Sequence, residues 1–198
     1  MRNMHSSEAF SLSRCILAQL TSPQAPSPRL SPGVVVMGVA GSGKSTLGAA
    51  VAEGMGWPMI EGDDFHSDEN KTRMRAGVPL SDADRDAWLG SLGRELQRHP
   101  DGKVLTCSAL KRRYRDRLRA ASPGLAFVFL DISEDEALWR VSARDRHFFP
   151  PELLQSQFAA LEAPIDEPGV LRLDAGLPLQ NLVDQTVAWL TTNPGFPA

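Results

Sequence analysis

A glycine-rich segment that also carries a lysine and two hydroxyl side chains is the strongest sign of chemistry in this sequence. Residues Gly38–Thr46 match the phosphate-binding pattern G-x-x-x-x-G-K-[ST] at every required position. In this pattern backbone N–H groups surround phosphate oxygens, the lysine reaches the β- and γ-phosphates, and the serine hydroxyl ligates Mg²⁺. The segment therefore predicts a nucleoside triphosphate site in which Lys44 and Ser45 take these two roles.

The sequence on both sides of this segment fits the same prediction. An apolar run, Val34–Met37, precedes it and suits a buried parallel strand. Leu47–Glu53 follows it and favours a helix that ends near Gly54 and Gly56. A strand, a loop and a helix in this order place the positive end of the helix dipole at the phosphates. A glycine turn that matched the pattern by chance would need neither flanking element.

A second candidate group is acidic and follows the next predicted strand. Glu61, Asp63 and Asp64 stand close together, and His66 comes two residues later. Carboxylates at the end of a strand can hold the water ligands of Mg²⁺, orient a hydroxyl and accept its proton, which phosphoryl transfer needs near the acceptor oxygen. The alternative is a solvated acidic loop before a helix.

Basic residues follow the third predicted strand, where a helix is expected to begin. Lys111 and Arg115 lie there, although cations at a helix N-terminus oppose the helix dipole. This placement is unfavourable unless an anion is close, so both residues are candidates for binding a negatively charged substrate. Arg117 and Arg119, further along the helix, are expected to form a solvated face.

Asp131 ends the fourth predicted strand and imitates the magnesium-binding aspartate that follows an apolar strand in many ATPases. We interpret Asp131 instead as a strand end, because the acidic segment after the second strand already supplies carboxylates. Ser133 and Glu136, which follow it, fit a capping box at the start of the next helix.

Two arginines four residues apart form a further candidate group. Arg140 and Arg144 would lie on one face of a helix, and Arg146 continues toward a break at Phe149–Pro151. Arginines on a mobile segment can close over phosphates and exclude water. Alone, such a pair would be surface charge; beside a phosphate-binding loop, we interpret it as part of a lid.

These candidates require a scaffold of alternating strands and helices. The sequence predicts strands near Val34–Val39, Trp57–Glu61, Lys103–Cys107, Leu125–Asp131 and Val170–Asp174. It predicts helices near Lys44–Met55, Asp68–Ala76, Asp82–His99, Leu110–Ala121, Glu134–Arg146, Pro151–Leu161 and Leu179–Thr191. Repeated units of this kind favour an α/β fold, with a parallel, five-stranded sheet flanked by helices on both faces. Ligands in such folds bind at the carboxyl ends of the strands.

Composition limits the class of protein. The 198 residues carry a net charge of −3 and are 42% hydrophobic, which is typical of one globular domain. No apolar run reaches the roughly 18 residues of a membrane span, and the mild acidity argues against a nucleic-acid partner. Cys15 and Cys107 are the only cysteines, which favours reduced thiols in a cytoplasmic protein.

The first 32 residues differ from the remainder, because Ser, Pro, Gln and Thr dominate Ser6–Pro32. We expect a disordered N-terminal extension over residues 1–32, followed by one domain over 33–194. Two alternatives are an organelle transit sequence and a start site placed too far upstream.

Together these segments resemble the gluconate kinase family of small P-loop sugar-acid kinases over nearly all of Val34–Leu190. Beyond the phosphate-binding loop, the most distinctive segments are Asp82–Leu89, Cys107–Asp116 and His147–Pro150. The resemblance implies that ATP and Mg²⁺ are used to phosphorylate D-gluconate at its 6-hydroxyl. It also implies a three-layer P-loop kinase fold with a short lid, similar to nucleoside monophosphate and shikimate kinases, and a homodimer.

The resemblance implies roles for individual residues. Asp63 stands where related kinases place the carboxylate that contacts the accepting hydroxyl, and Glu61 can hold a water of the metal together with Ser45. Arg140 stands where an arginine stacks on adenine, and Arg144 where a lid arginine contacts phosphate. The implied phosphate cradle is Gly41, Ser42, Gly43, Lys44, Ser45 and Thr46. The implied gluconate contacts are Asp63, His66, Arg73, Lys111 and Arg115, and the implied catalytic residues are Lys44, Asp63 and Arg144.

Three other interpretations start from the same loop. Another small-molecule kinase of this fold, of the shikimate or nucleotide type, would not be expected to carry Asp82–Leu89 and Cys107–Asp116. A GTPase-like switch would carry Asn-Lys-x-Asp, and Asn70–Arg73 lacks the aspartate. A nucleotide-binding protein without catalysis is disfavoured because Asp63 accompanies the lysine and serine of the loop.

Overall fold

A computed structural model of the protein describes residues 32–143 and 150–192. Its strands are β1 Val34–Met37, β2 Met59–Glu61, β3 Val104–Thr106, β4 Ala126–Asp131 and β5 Val170–Asp174. Its α-helices are α1 Lys44–Met55, α2 Asp68–Arg75, α3 Asp82–Arg98, α4 Arg112–Ala121, α5 Glu134–Ser142, α6 Pro151–Ala160 and α7 Leu179–Thr192, and a 3₁₀ turn spans Gly62–Phe65.

The five strands form one parallel sheet in the order β2-β3-β1-β4-β5. β1 lies at the centre, and its four residues are fully buried, because helices cover both faces of the sheet. On one face α3 and α4 pack residues such as Leu92 and Leu118 into the core. On the other face α1 and α7 contribute Leu47 and Leu190. The predicted three-layer fold with five parallel strands is confirmed.

The capping of two helices differs from the sequence-based expectation. Ser133 accepts a hydrogen bond from the backbone N–H of Glu136, as predicted, but the Glu136 carboxylate accepts from Arg140 instead of closing the box. The reciprocal capping box forms at α3, where the side chains of Ser81 and Asp84 each accept from the other's backbone N–H. This box fixes the start of α3, the helix of the distinctive Asp82–Leu89 segment.

The helix after β3 begins later than predicted. α4 starts at Arg112 rather than Leu110, because the chain first passes through Ala109, whose φ of 43° lies in the left-handed region. The segment between β3 and α4 is therefore a strained loop rather than a first turn of helix.

Two expectations fall largely or wholly outside the described residues. The extension predicted for residues 1–32 is undescribed except for Pro32, and the lid residues Arg144 and Arg146 lie in the undescribed segment 144–149. Among the residues that are described, no helix is long and apolar enough to cross a membrane.

Candidate active site

The glycine-rich loop joins β1 to α1 as the sequence predicts. Gly43 precedes the first residue of α1 with φ 94°, a conformation that favours glycine. A Cβ at Gly43 would meet no atom within 4 Å, so the backbone there borders open space. Because glycine has no side chain to cap the helix, the N–H groups of the first turn of α1 are suited to an anion in that space. Lys44, the next residue, donates from Nζ to the carbonyl oxygen of Val39 at 2.9 Å.

Two cavities meet at this loop. One has a volume of about 360 Å³, contains Trp139 and Arg140 in its lining, and is called here the Arg140 compartment. The other has a volume of about 270 Å³, contains Lys44 and Asp63, and is called the Asp63 compartment. Gly41, Gly43 and Thr46 line both cavities, whereas Ser42 lines only the first and Ser45 only the second. A ligand bound over the loop would therefore reach both cavities.

Arg140 is held in place on the wall of its compartment. Its Nε donates to the carboxylate of Glu136 at 2.8 Å, and an Nη donates to the carbonyl oxygen of Ala175 at 3.0 Å. Trp139 beside it is 67% exposed. A fixed guanidinium and an exposed indole can both stack on a flat aromatic ring, so this compartment suits a nucleobase.

Glu61 and Asp63 reach the second compartment from the end of β2 and the 3₁₀ turn. Thr106 at the end of β3 donates its hydroxyl to the Glu61 carboxylate. Between the two acids, a Cβ on Gly62 would lie 2.3 Å from the carbonyl oxygen of Thr106, so only glycine fits where the turn crosses β3. This close approach brings both carboxylates into the same cleft as Ser45.

The neighbouring acid Asp64 does not line this cleft. Its backbone carbonyl accepts a hydrogen bond from Lys71 Nζ at 2.9 Å, whereas Asp63 lines the cleft with Glu61. Of the two adjacent aspartates, Asp63 is therefore the one placed to contact a ligand there.

The oxygen ligands in the cleft fit a magnesium ion bound with a nucleotide. Mg²⁺ is usually held by one or two protein oxygens, with phosphates and waters completing the octahedron. The Ser45 hydroxyl and the Glu61 carboxylate line one cavity and supply such oxygens. Within the described residues no group of three or more His, Cys, Asp or Glu side chains could hold a metal by itself. This donor set fits an ion that is shared with phosphates.

His66 lines the Asp63 compartment and stacks on a tryptophan ring. The His66 and Trp88 rings are stacked with centroids 4.3 Å apart, and Trp88 Nε1 donates to the Gly62 carbonyl oxygen at 2.8 Å. His66 is 7% exposed, and burial lowers its pKa, with Asp63 opposing and Arg85 adding to the shift. Its Nδ1 has no hydrogen-bond partner among the described residues. A neutral imidazole held in this way can exchange hydrogen bonds with a hydroxyl.

Arg115 is not in either compartment, which corrects its predicted role as a gluconate contact. Its side chain is 1% exposed and forms an ion pair with Glu167, with Nε 3.0 Å from a carboxylate oxygen. The same guanidinium donates to the carbonyl oxygens of Ala109, Leu110 and Glu162. Arg115 therefore fastens the strained loop after β3 from inside the protein, because its donors are used by protein oxygens.

Lys111 and Arg73 are also paired with carboxylates of the protein. Lys111 Nζ lies 3.0 Å from Asp82, and an Arg73 Nη lies 2.9 Å from Asp84. Neither residue lines the Asp63 compartment. The protein itself therefore supplies anions to the basic residues at the start of α4: Asp82 of α3 pairs with Lys111, and Glu167 pairs with Arg115.

Asp131 has the structural role that the sequence favoured. Its carboxylate forms an ion pair with Arg172 on the neighbouring strand β5, and it does not line the Asp63 compartment.

Sequence reasoning missed three polar side chains that line the Asp63 compartment, namely Arg85, Ser108 and Gln157. Gln157 accepts a hydrogen bond from the Ala40 backbone N–H at 2.7 Å and so ties α6 to the phosphate-binding loop. Arg85 and Ser108 lie in segments already singled out as distinctive, Asp82–Leu89 and Cys107–Asp116, but nothing in the residue types distinguished Arg85 from its many basic neighbours.

The central parallel sheet, the glycine-rich loop with its lysine and serine, and the adjoining carboxylates define a P-loop kinase. A family model described as an AAA domain matches residues 34–168. The gluconokinase of Gluconobacter oxydans (strain 621H) is 45% identical over 71% of this chain and 80% of its own length. The chain belongs to the gluconokinase family.

Solved structures agree with this assignment. A gluconokinase from Sinorhizobium meliloti 1021 is 47% identical, has a TM-score of 0.75, and is matched over 82% of this chain and 93% of its own. An unliganded sugar kinase from Janibacter sp. HTCC2649 is 41% identical, with a TM-score of 0.78 over 85% and 99% of the two chains.

Proposed function

We propose that this protein transfers the γ-phosphoryl group of ATP to the 6-hydroxyl of D-gluconate, giving 6-phosphogluconate and ADP. The observation that carries the proposal is that one cleft is lined both by the lysine and serine of a phosphate-binding loop and by Asp63 and His66. Membership of the gluconokinase family supports D-gluconate as the acceptor.

On the donor side, the adenine would lie in the Arg140 compartment and the phosphates over Gly41–Thr46. Backbone N–H groups at the start of α1 would bind phosphate oxygens, and Lys44 would reach the β- and γ-phosphates. Mg²⁺, held by Ser45 and through Glu61, would neutralise the charge that develops on the phosphates. Arg144 is the proposed lid arginine, and it lies outside the described residues.

On the acceptor side, Asp63 would accept a hydrogen bond from the 6-hydroxyl and take its proton as the oxygen attacks the γ-phosphorus. His66 would bind another hydroxyl of the sugar acid. The Trp88 ring fixes both groups, because it stacks on His66 and binds the turn that carries Asp63. Catalysis then depends mainly on position, since the loop and the acceptor groups share one cleft.

The homodimer and the cytoplasmic location stay predictions. Analytical ultracentrifugation of the full chain measures the first, and fractionation of the native host measures the second.

The test of the proposed function is acceptor dependence. ADP release is followed with Mg-ATP and a panel of D-gluconate, shikimate, D-glycerate and nucleoside monophosphates. We expect turnover with gluconate well above that with any other acceptor, and loss of turnover in Lys44→Ala. Turnover on another member of the panel, with none on gluconate, would reject the proposal.

A further inference from the structure

Arg85 is the one guanidinium among the described side chains that line the Asp63 compartment. It lies in the first turn of α3, beside the capping box that fixes the start of this helix. The other cation of the described lining, Lys44, belongs to the phosphate-binding loop. The acceptor side of the cleft therefore has a single permanent positive charge among the residues that the structure describes.

The surroundings of Arg85 differ from those of the basic residues predicted to bind substrate. Arg73, Lys111 and Arg115 each pair with a carboxylate of the protein. Arg85 forms no ion pair within 4 Å across the described ranges, and its Nη1 donates to the carbonyl oxygen of Leu80. Because a guanidinium carries five N–H donors, this bond orients Arg85 and leaves donors for a ligand.

The other charges in the cleft explain why a cation is needed on the acceptor side. Glu61 and Asp63 line the same cavity, and two carboxylates repel an anionic acceptor. His66 does not offset them, since burial holds its pKa below the ordinary value and keeps the ring neutral near pH 7. An acid substrate thus needs a cation on this side of the cleft, and a planar guanidinium can hold a carboxylate by two parallel hydrogen bonds.

We propose that Arg85 binds the carboxylate of the acceptor and makes the enzyme select a sugar acid over a neutral sugar or polyol of the same length. This assignment rests on the proposed function. It places the two ends of the acceptor at different elements, with the accepting hydroxyl at the 3₁₀ turn and the carboxylate at the first turn of α3.

Steady-state kinetics of Arg85→Met tests the assignment. Loss of a charge-assisted hydrogen bond should raise KM for gluconate about 10- to 150-fold. The kcat at saturating gluconate and KM for ATP should change less than about threefold, because the carboxylate is remote from the transferred group. Arg85→Lys, which keeps the charge but not the fork, should lie between wild type and Arg85→Met.

Arg94→Met is the matched control. Arg94 lies on the same helix, is exposed, and donates to the Ser91 hydroxyl away from both compartments. Its loss should leave both KM values unchanged. D-glucitol, which has an alcohol in place of the carboxylate, serves as a second probe, and its inhibition constant should be the same for wild type and Arg85→Met.

Three results would overturn the assignment. The first is an unchanged KM for gluconate in Arg85→Met. The second is a loss confined to kcat, which would place Arg85 at the transferred phosphoryl group. The third is a loss of glucitol affinity equal to the loss of gluconate affinity, which would indicate general distortion of the cleft. If Arg85→Met fails to fold, the same three criteria apply to Arg85→Lys. Failure of the proposed function is distinguishable, because wild type would then show no gluconate-dependent turnover at all.

Discussion

The two sides of the cleft are built in different ways. On the donor side, contiguous residues at the junction of β1 and α1 supply a phosphate cradle made largely of backbone N–H groups. On the acceptor side, side chains come from β2, the 3₁₀ turn, α3, the loop after β3, and α6. The first site depends on a local motif, whereas the second depends on long-range contacts that hold separate elements in register. Changes to the packing around the acceptor side should therefore alter gluconate binding without altering ATP binding.

The largest effect is a loss of stability, expected when Arg115, which holds the loop after β3, is replaced. Arg115→Met leaves Glu167 with Arg119 as its remaining partner and removes the donor to the carbonyl oxygens of Ala109, Leu110 and Glu162. Because this breaks a buried network, we expect the free energy of unfolding to fall by about 3–5 kcal/mol. Chemical denaturation measures this change. Arg117 lies on α4, as Arg115 does, and forms an exposed ion pair with Asp86 of α3. Arg117→Met removes this pair and should lower the free energy of unfolding by less than about 1 kcal/mol. Equal losses in the two variants would show that the buried pair has no special role.

The next largest effect is a loss of turnover when the proposed base on the acceptor side is replaced. Asp63→Asn keeps the shape of the side chain but removes the base, and kcat should fall at least about 100-fold. Binding of a fluorescent ATP analogue should not change, because Asp63 lies outside the phosphate cradle. Asp64→Asn is the control and should retain most of the turnover. A reversed result in this pair would make Asp64 the base.

A smaller effect should separate the two sides directly. Trp88→Phe keeps a ring against His66 but removes the hydrogen bond to Gly62, and we expect KM for gluconate to rise about 2- to 10-fold. Trp139→Ala, in the Arg140 compartment, should instead raise KM for ATP. Steady-state kinetics with each substrate varied measures both. If either variant changes both KM values equally, the two compartments are not independent.

The smallest effect is a pH dependence of stability from His66. Burial lowers its pKa in the folded protein, so the unfolded chain takes up this proton at a higher pH than the folded one. The contribution of neutral His66 is fully present above the ordinary pKa of about 6.5 and is lost as the pH falls through that value toward the lowered one. Unfolding titrations of wild type and His66→Gln between pH 7.5 and 5 should show a steeper loss in wild type. Parallel curves would mean that His66 titrates normally.

The same contrast explains what the sequence could predict. The loop at Gly38–Thr46 was predictable because its function follows from adjacent residue types, and the strands followed from buried apolar runs such as that of β1. The acidic segment was predictable because it follows a strand, but position alone did not separate Asp63 from Asp64, and only the structure shows that Asp63 lines the cleft. The roles of the cations were not predictable, because Arg115 and Lys111 are paired with carboxylates that lie 52 and 29 residues away in the sequence. The sequence identifies which side chains are cations, but only tertiary contacts determine whether such a cation pairs with a ligand or with a carboxylate of the protein.

The position of the phosphate in the product tests the central claim most directly. The donor and acceptor arrangement predicts that ATP and D-gluconate give one phosphorylated product, with the phosphate on the primary C6 oxygen. Proton-coupled ³¹P NMR of the product should therefore show a triplet from the two C6 protons. A doublet, which indicates a secondary hydroxyl, or release of inorganic phosphate without a sugar ester, would contradict the account.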